Sequence, residues 1–221
     1  MDLLTYPDAE AMMLALADRL AGELRQALDG GRASLAVPGG ATPGPIFDAL
    51  SGAHLDWARV DLMLTDERWV PESSDRSNTR LLRQHLCVGP AAAANLLPLY
   101  ADGPVEDALP ALSAAIAGVL PLSICLLGMG ADMHTASIFP GADRLADALT
   151  GSDILVPMRA PGAAEPRITL AAPVLRGAIR RHIVIIGAEK RGALERARHL
   201  TPEQAPVAAV LPGSTVHWAP N

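Results

Sequence analysis

Apolar residues recur at every fourth position from Met12 through Leu16, Leu20 and Leu24 to Leu28. That spacing lines one face of a helix and predicts one over residues 7–28. Pro7 suits its first turn, and Gly30 and Gly31 end it. The pattern then changes to short, mainly apolar runs: "ASLAV" (33–37), "VDLML" (60–64), "LSICLLG" (122–128) and "RHIVIIG" (181–187). Runs this short and without alternation predict strands buried on both faces. Helical stretches separate them: "PIFDAL", "SNTRLLRQHL" with Ser77 as N-cap, "EDALPALSAAIAGV" and "AEKRGALERARHL". The segments 65–78, 89–95 and 159–166 are expected to be loops.

Buried strands alternating with helices indicate an α/β fold, a three-layer Rossmann-like sandwich around a mainly parallel sheet. The chain of 221 residues suits a single domain with room for a small inserted lid or subdomain. In such folds ligands bind beyond the carboxyl ends of the strands. Four of those ends carry unusual polar content: "PGGATP", "TDERWVP", "GMGADMH" and "GAEK".

Composition narrows the partners. The apolar N-terminal segment is interrupted by charges every turn or two, so neither a membrane span nor a signal peptide is expected, and the reading is cytoplasmic. A net charge of −6 argues against a nucleic-acid surface. Cys87 and Cys125 stand far apart, without zinc spacing, and Cys125 reads as a buried apolar residue. Of the 18 basic residues only Lys190 is a lysine. Any anionic ligand must be held by a few placed cations.

At the four strand ends the residue types allow two readings each. Gly39, Gly40 and Thr42 before a helix start at Pro43 or Pro45 offer backbone N–H groups to a phosphate, or form a simple turn. Arg167 and Lys190 are candidate cations for that phosphate, or solvated surface charges. Asp66, Glu67 and Arg68 are a solvated charge cluster, or an acid and a base that orient a hydroxyl and neutralise developing charge. His134 is either a turn residue or a general base supported by Asp132. A G-x-S-x-G elbow, an H-E-x-x-H motif and a C-x-x-C pair are all missing from the sequence.

Taken in order, these segments resemble the 6-phosphogluconolactonase family, a branch of the group that includes glucosamine-6-phosphate deaminase and ribose-5-phosphate isomerase. "PGGATP" is similar to the family's S-G-G-S-T-P loop, and "DERWVPESSDRSN" to D-E-R-x-V-P followed by D-S-N. "GMGADMHTASIFPG" is similar to G-M-G-x-D-G-H-T-A-S-L-F-P-G, and "PRITL" and "GAEK" match downstream segments. The resemblance implies hydrolysis of 6-phosphoglucono-δ-lactone in the oxidative pentose phosphate pathway. His134 would then be the base that activates water, supported by Asp132, with Asp66 and Arg68 binding the ring or stabilising the transition state. Gly39, Gly40 and Thr42 would hold the phosphate with Arg167 and Lys190. The implied partner is a small phosphosugar lactone. No metal, organic cofactor or obligate protein partner is implied.

Three departures from the motifs stand out: Pro38 and Ala41 where the family has serines, and Met133 where it has a glycine. If that glycine has positive φ, a methionine costs roughly 1 kcal/mol of strain or the turn rearranges. Two alternatives remain. A deaminase or isomerase resembles G-D-G-H-I-A-F-N-E-P after the strand, and "HTASIFPG" has no such glutamate. A catalytically weak sugar-phosphate-binding protein would account for Met133 and the altered loop.

Overall fold

The structure is a computed structural model that describes residues 1–40, 42–160 and 164–221. Ala41 and the middle of the 159–166 segment, read above as part of the phosphate loop and as a loop, lie outside the described residues. The chain runs β1 (Asp2–Thr5), α1 (Ala9–Asp29), β2 (Ala33–Val37), α2 (Gly44–Ser51), β3 (Val60–Leu64), β4 (Asp66–Arg68), α3 (Asn78–His85) and β5 (Asn95–Leu96). It continues α4 (Val105–Ala117), β6 (Ile124–Gly128), α5 (Leu145–Thr150), β7 (Leu155–Met158), β8 (Arg167–Leu170), α6 (Ala172–Arg176), β9 (Arg180–Ile186), α7 (Ala188–Ala197) and β10 (Thr215–Ala219).

Seven strands form one sheet in the order β1-β10-β9-β6-β2-β3-β5, and every pairing in it is parallel. The apolar runs of β2, β3 and β6 are buried because helices cover the sheet. All five residues of the α1 stripe, Met12 to Leu28, are buried against that sheet and α2. From β2 the chain steps outward through β3 to β5, whereas from β6 it steps the other way. The order therefore reverses between β2 and β6, which is where a doubly wound sheet opens a crevice at its carboxyl edge.

Several expectations need correction. Helix α1 starts at Ala9, because the Asp8 carboxylate accepts from the Ala11 N–H at 2.8 Å and caps it, leaving Pro7 outside the first turn. Helix α7 stops at Ala197, three residues short of the expected end. Segment 65–78 is not all loop: Asp66–Arg68 form β4, which pairs antiparallel with β8 in a separate sheet ordered β4-β8-β7. A three-residue strand made only of charges carries no hydrophobic period, so the pattern hides it. Residues 89–95 hold a short 3-10 turn, Gly89–Ala93, and the start of β5.

A polar chain crosses the core beside α1. The Tyr6 hydroxyl meets His217 Nδ1 at 2.8 Å, His217 Nε2 meets His182 Nδ1 at 3.0 Å, and His182 Nε2 meets the Glu23 carboxylate at 2.8 Å. With both imidazoles neutral, one direction of donation, from tyrosine through both rings to the carboxylate, satisfies every group. Burial, then the neighbouring His182 and Arg19, lowers the His217 pKa from 6.5 to about 3. The unfolded chain therefore binds a proton at His217 below pH 6.5 that the native state refuses until near pH 3, and stability falls as pH drops through that window. Between pH 7 and 5 the expected loss is about 2 kcal/mol, read by urea denaturation at both values. Equal stability at the two pH values would rule out a neutral His217.

Candidate active site

The loop after β2 is built around two glycines with different tasks. A Cβ at Gly39 would fall inside the Asn78 side chain, so close approach to α3 demands glycine there. Gly40 has φ 88, a left-handed conformation that favours glycine. Pro43 is the N-cap residue of α2, so the loop delivers Thr42 and the first amides of that helix toward the crevice.

Beyond β3 the three charged residues of β4 do three different things. Glu67 is fully buried and is structural: one oxygen accepts from the N–H groups of Arg68 and Asn78, each at 2.8 Å. Its other oxygen accepts from the Thr79 N–H at 2.7 Å and from the hydroxyls of Thr79 and Ser77. It thus ties β4 to the start of α3. Asp66 accepts from the Ser137 hydroxyl at 2.5 Å, and its carbonyl accepts from the Asn78 amide at 3.0 Å. Arg68 donates through Nη1 to the Arg76 carbonyl at 2.7 Å, while its Nε is buried with no protein partner among the described residues.

The turn after β6 presents His134. The ring Nδ1 lies 2.5 Å from Asp132 Oδ1, and the same oxygen accepts from the His134 N–H at 3.2 Å. This bond holds the Asp132 carboxyl below its usual range. It also leaves Nε2 as the free ring nitrogen. A Cβ at Gly130 would collide with both His134 and Asp132, so the glycine makes room for the pair. Phe139 packs against the His134 ring at a 32° tilt with centroids 4.3 Å apart, and the Arg167 guanidinium lies 5.2 Å from the same Phe139 ring.

Met133 keeps the turn and carries the strain: its φ is 67, so the conformation that favours glycine is held by a methionine. Its side chain packs against the core, and its carbonyl accepts from the Val207 N–H at 3.0 Å. It does not line the crevice. A β-branched residue is worse still at positive φ, so Met133→Val is expected to lower stability by about 1–2 kcal/mol, read as a lower thermal midpoint. An unchanged midpoint would contradict the strain assigned to this position.

Arg167 begins β8 and is the direct cross-strand partner of Arg68. Like charges placed opposite each other repel. Burial, and then the adjacent Arg68, lowers the Arg167 pKa below the ordinary arginine value. Two guanidiniums side by side, neither with a carboxylate partner among the described residues, suit an anion between them. Lys190 comes from the first turn of α7, where Gly187 at φ 93 turns the chain out of β9.

Gly39, Gly40, Thr42, Asp66, Arg68, His134, Arg167 and Lys190 all line one cleft of about 230 Å³ at the carboxyl edge of the sheet. Asp132 stands behind His134 and does not line it. Asn78 and Ala136 line the cleft and were not singled out from the sequence, nor were Phe139 and Ser137 behind it. All four lie inside the motifs quoted above, but their residue types carry no distinctive chemistry. Among the described residues no cluster of three or more His, Cys, Asp or Glu side chains is arranged to hold a metal, and no helix is long and apolar enough to cross a membrane.

A family model described as glucosamine-6-phosphate isomerases/6-phosphogluconolactonase matches residues 7–218. The chain belongs to this family. Among its relatives in the glucosamine-6-phosphate isomerase/6-phosphogluconolactonase family, a 6-phosphogluconolactonase of Mesorhizobium japonicum is 42% identical, covering 97% of this chain and 94% of its own. A 6-phosphogluconolactonase of Pseudomonas aeruginosa is 39% identical over 99% of this chain and 94% of its own. The crystal structure of a 6-phosphogluconolactonase from Shewanella baltica superposes with a TM-score of 0.96 at 31% identity, covering 99% of this chain and 97% of that one.

Proposed function

We propose that this chain hydrolyses 6-phosphoglucono-δ-lactone to 6-phosphogluconate, the lactone-opening step of the oxidative pentose phosphate pathway, with His134 as the base. The observation that carries the mechanism is the meeting of a His–Asp pair, two facing arginines and a glycine loop at a helix start in one cleft at the reversal of strand order. Full-length kinship with 6-phosphogluconolactonases supplies the substrate.

The chemistry follows from the geometry. With Nδ1 held by Asp132, His134 accepts a proton from water at Nε2 as the oxygen attacks the lactone carbonyl. The charge that develops on the carbonyl oxygen sits in a cleft that Arg68, Arg167 and Lys190 line. Collapse of the tetrahedral intermediate breaks the bond to the ring oxygen, which takes the proton back from His134 and leaves as a hydroxyl. The phosphate, far from the reacting carbon, is gripped by Lys190, Arg167, Gly39, Gly40 and Thr42, so its binding energy orients the ring. Asp66 and Arg68 face the ring between these two ends.

The reading is completed by a single sugar-phosphate hydrolase domain in which the β4-β8-β7 sheet is the small inserted element, working in the cytoplasm on a small phosphosugar lactone. The deaminase or isomerase alternative needs an acid that this cleft does not offer: Asp66 is the only carboxylate lining it among the described residues. The test generates the lactone in situ with glucose-6-phosphate dehydrogenase and follows its opening with and without the protein. Opening at the spontaneous rate in both arms would sink the lactonase reading.

A further inference from the structure

We infer that Ser137 is a positioning residue of this reaction, the junction that locks the His134 turn to the strands carrying Asp66, Arg68 and Arg167. The inference rests on the lactonase reading above. Ser137 is fully buried and does not line the cleft, so it cannot touch substrate. Its hydroxyl nevertheless donates to Asp66 Oδ2 at 2.5 Å, and its N–H donates to Thr169 Oγ1 at 3.3 Å. Asp66 and Thr169 are direct cross-strand partners in the β4·β8 pair. One residue of the turn thus grips both members of one rung, at the base of the two-arginine face.

The local backbone is shaped for this grip. Ala136 has φ 49, an uncommon conformation for a residue with a side chain. It reverses the chain immediately before Ser137, two residues after His134. On the other side of the rung, Asp66 Oδ1 accepts from the Thr65 hydroxyl at 3.2 Å. Both Asp66 oxygens therefore carry a hydroxyl donor, and the Ser137 bond is the one that reaches the turn of the base. In the native arrangement Asp66 keeps a single orientation at the cleft wall beside Arg68 and Arg167. Without the Ser137 hydroxyl, a buried carboxylate oxygen loses its partner, and the side chain must turn to find another.

A role exerted through Asp66 has a signature that a general packing defect lacks. Ser137→Ala is expected to lower kcat about tenfold while KM changes less than about twofold, since the bond orients the chemical end and not the phosphate end. In an Asp66→Ala background the same substitution should cost less than about twofold, because the acceptor of the Ser137 hydroxyl is gone. Thermal melts establish that each variant is folded at the assay temperature. Should Ser137→Ala not fold, Ser137→Cys, slightly larger and only a weak donor, is expected to show the same lowered kcat and the same loss of effect in the Asp66→Ala background. Effects that multiply across the two positions, or a kcat within twofold of the parent, would overturn the assignment. Failure of the parent protein itself to accelerate lactone opening would instead overturn the lactonase reading.

Discussion

His134→Ala is expected to lower kcat for lactone opening by about two to four orders of magnitude, the usual contribution of a positioned general base. KM should stay within a few-fold of the parent, because the imidazole meets water and the carbonyl rather than the phosphate. The reason is specific to the geometry: Asp132 occupies Nδ1, so Nε2 is the ring nitrogen left to take the proton. Asp132→Asn, which keeps the shape but not the charge, should lower kcat by a smaller factor. Stopped-flow measurement with the spontaneous rate subtracted separates these outcomes. A His134→Ala enzyme retaining more than a tenth of the parental kcat would remove His134 from the role of base.

Lys190→Ala should move the other constant. Losing one charge-assisted contact to phosphate is worth about 1.5–3 kcal/mol, which corresponds to a KM raised about ten- to hundredfold with kcat less affected. Inorganic phosphate, as a competitive inhibitor, should weaken by a similar factor, and this second measurement needs no lactone. Lys190→Arg should recover only part of the loss, because a planar fork does not reproduce a compact ammonium. Normal KM and normal phosphate inhibition in Lys190→Ala would show that the lysine serves no phosphate.

What could be read along the chain was governed by how local its physics is. The runs 33–37, 60–64 and 122–128 are mainly apolar without regular alternation because helices cover both faces of the sheet, and that cause writes itself into consecutive residues. The α1 stripe is legible for the same reason. Strand β4 left no such trace, since its three residues are charged and the bonds that hold Asp66 and Glu67 come from other segments, Ser137 and the start of α3. The glycine loop, His134, Asp132 and Lys190 were visible as unusual residues at strand ends. The pairing of Arg68 with Arg167, the shared Phe139 face and the grip of Ser137 on Asp66 were not, because each is created only when two distant segments meet.

The reversal of strand order has a consequence for how activity can arise. The phosphate loop and Asp66 follow strands on one side of the β2·β6 boundary, and His134 and Lys190 follow strands on the other. That boundary is held by a short register, Leu35 with Ile124 and Ala36 with Cys125, and is strapped across by the β4·β8 pair. A chain in which each wing had folded but the wings had not joined would possess every reactive group and no catalyst. Turnover in this protein is therefore a direct gauge of whether its two halves have found each other.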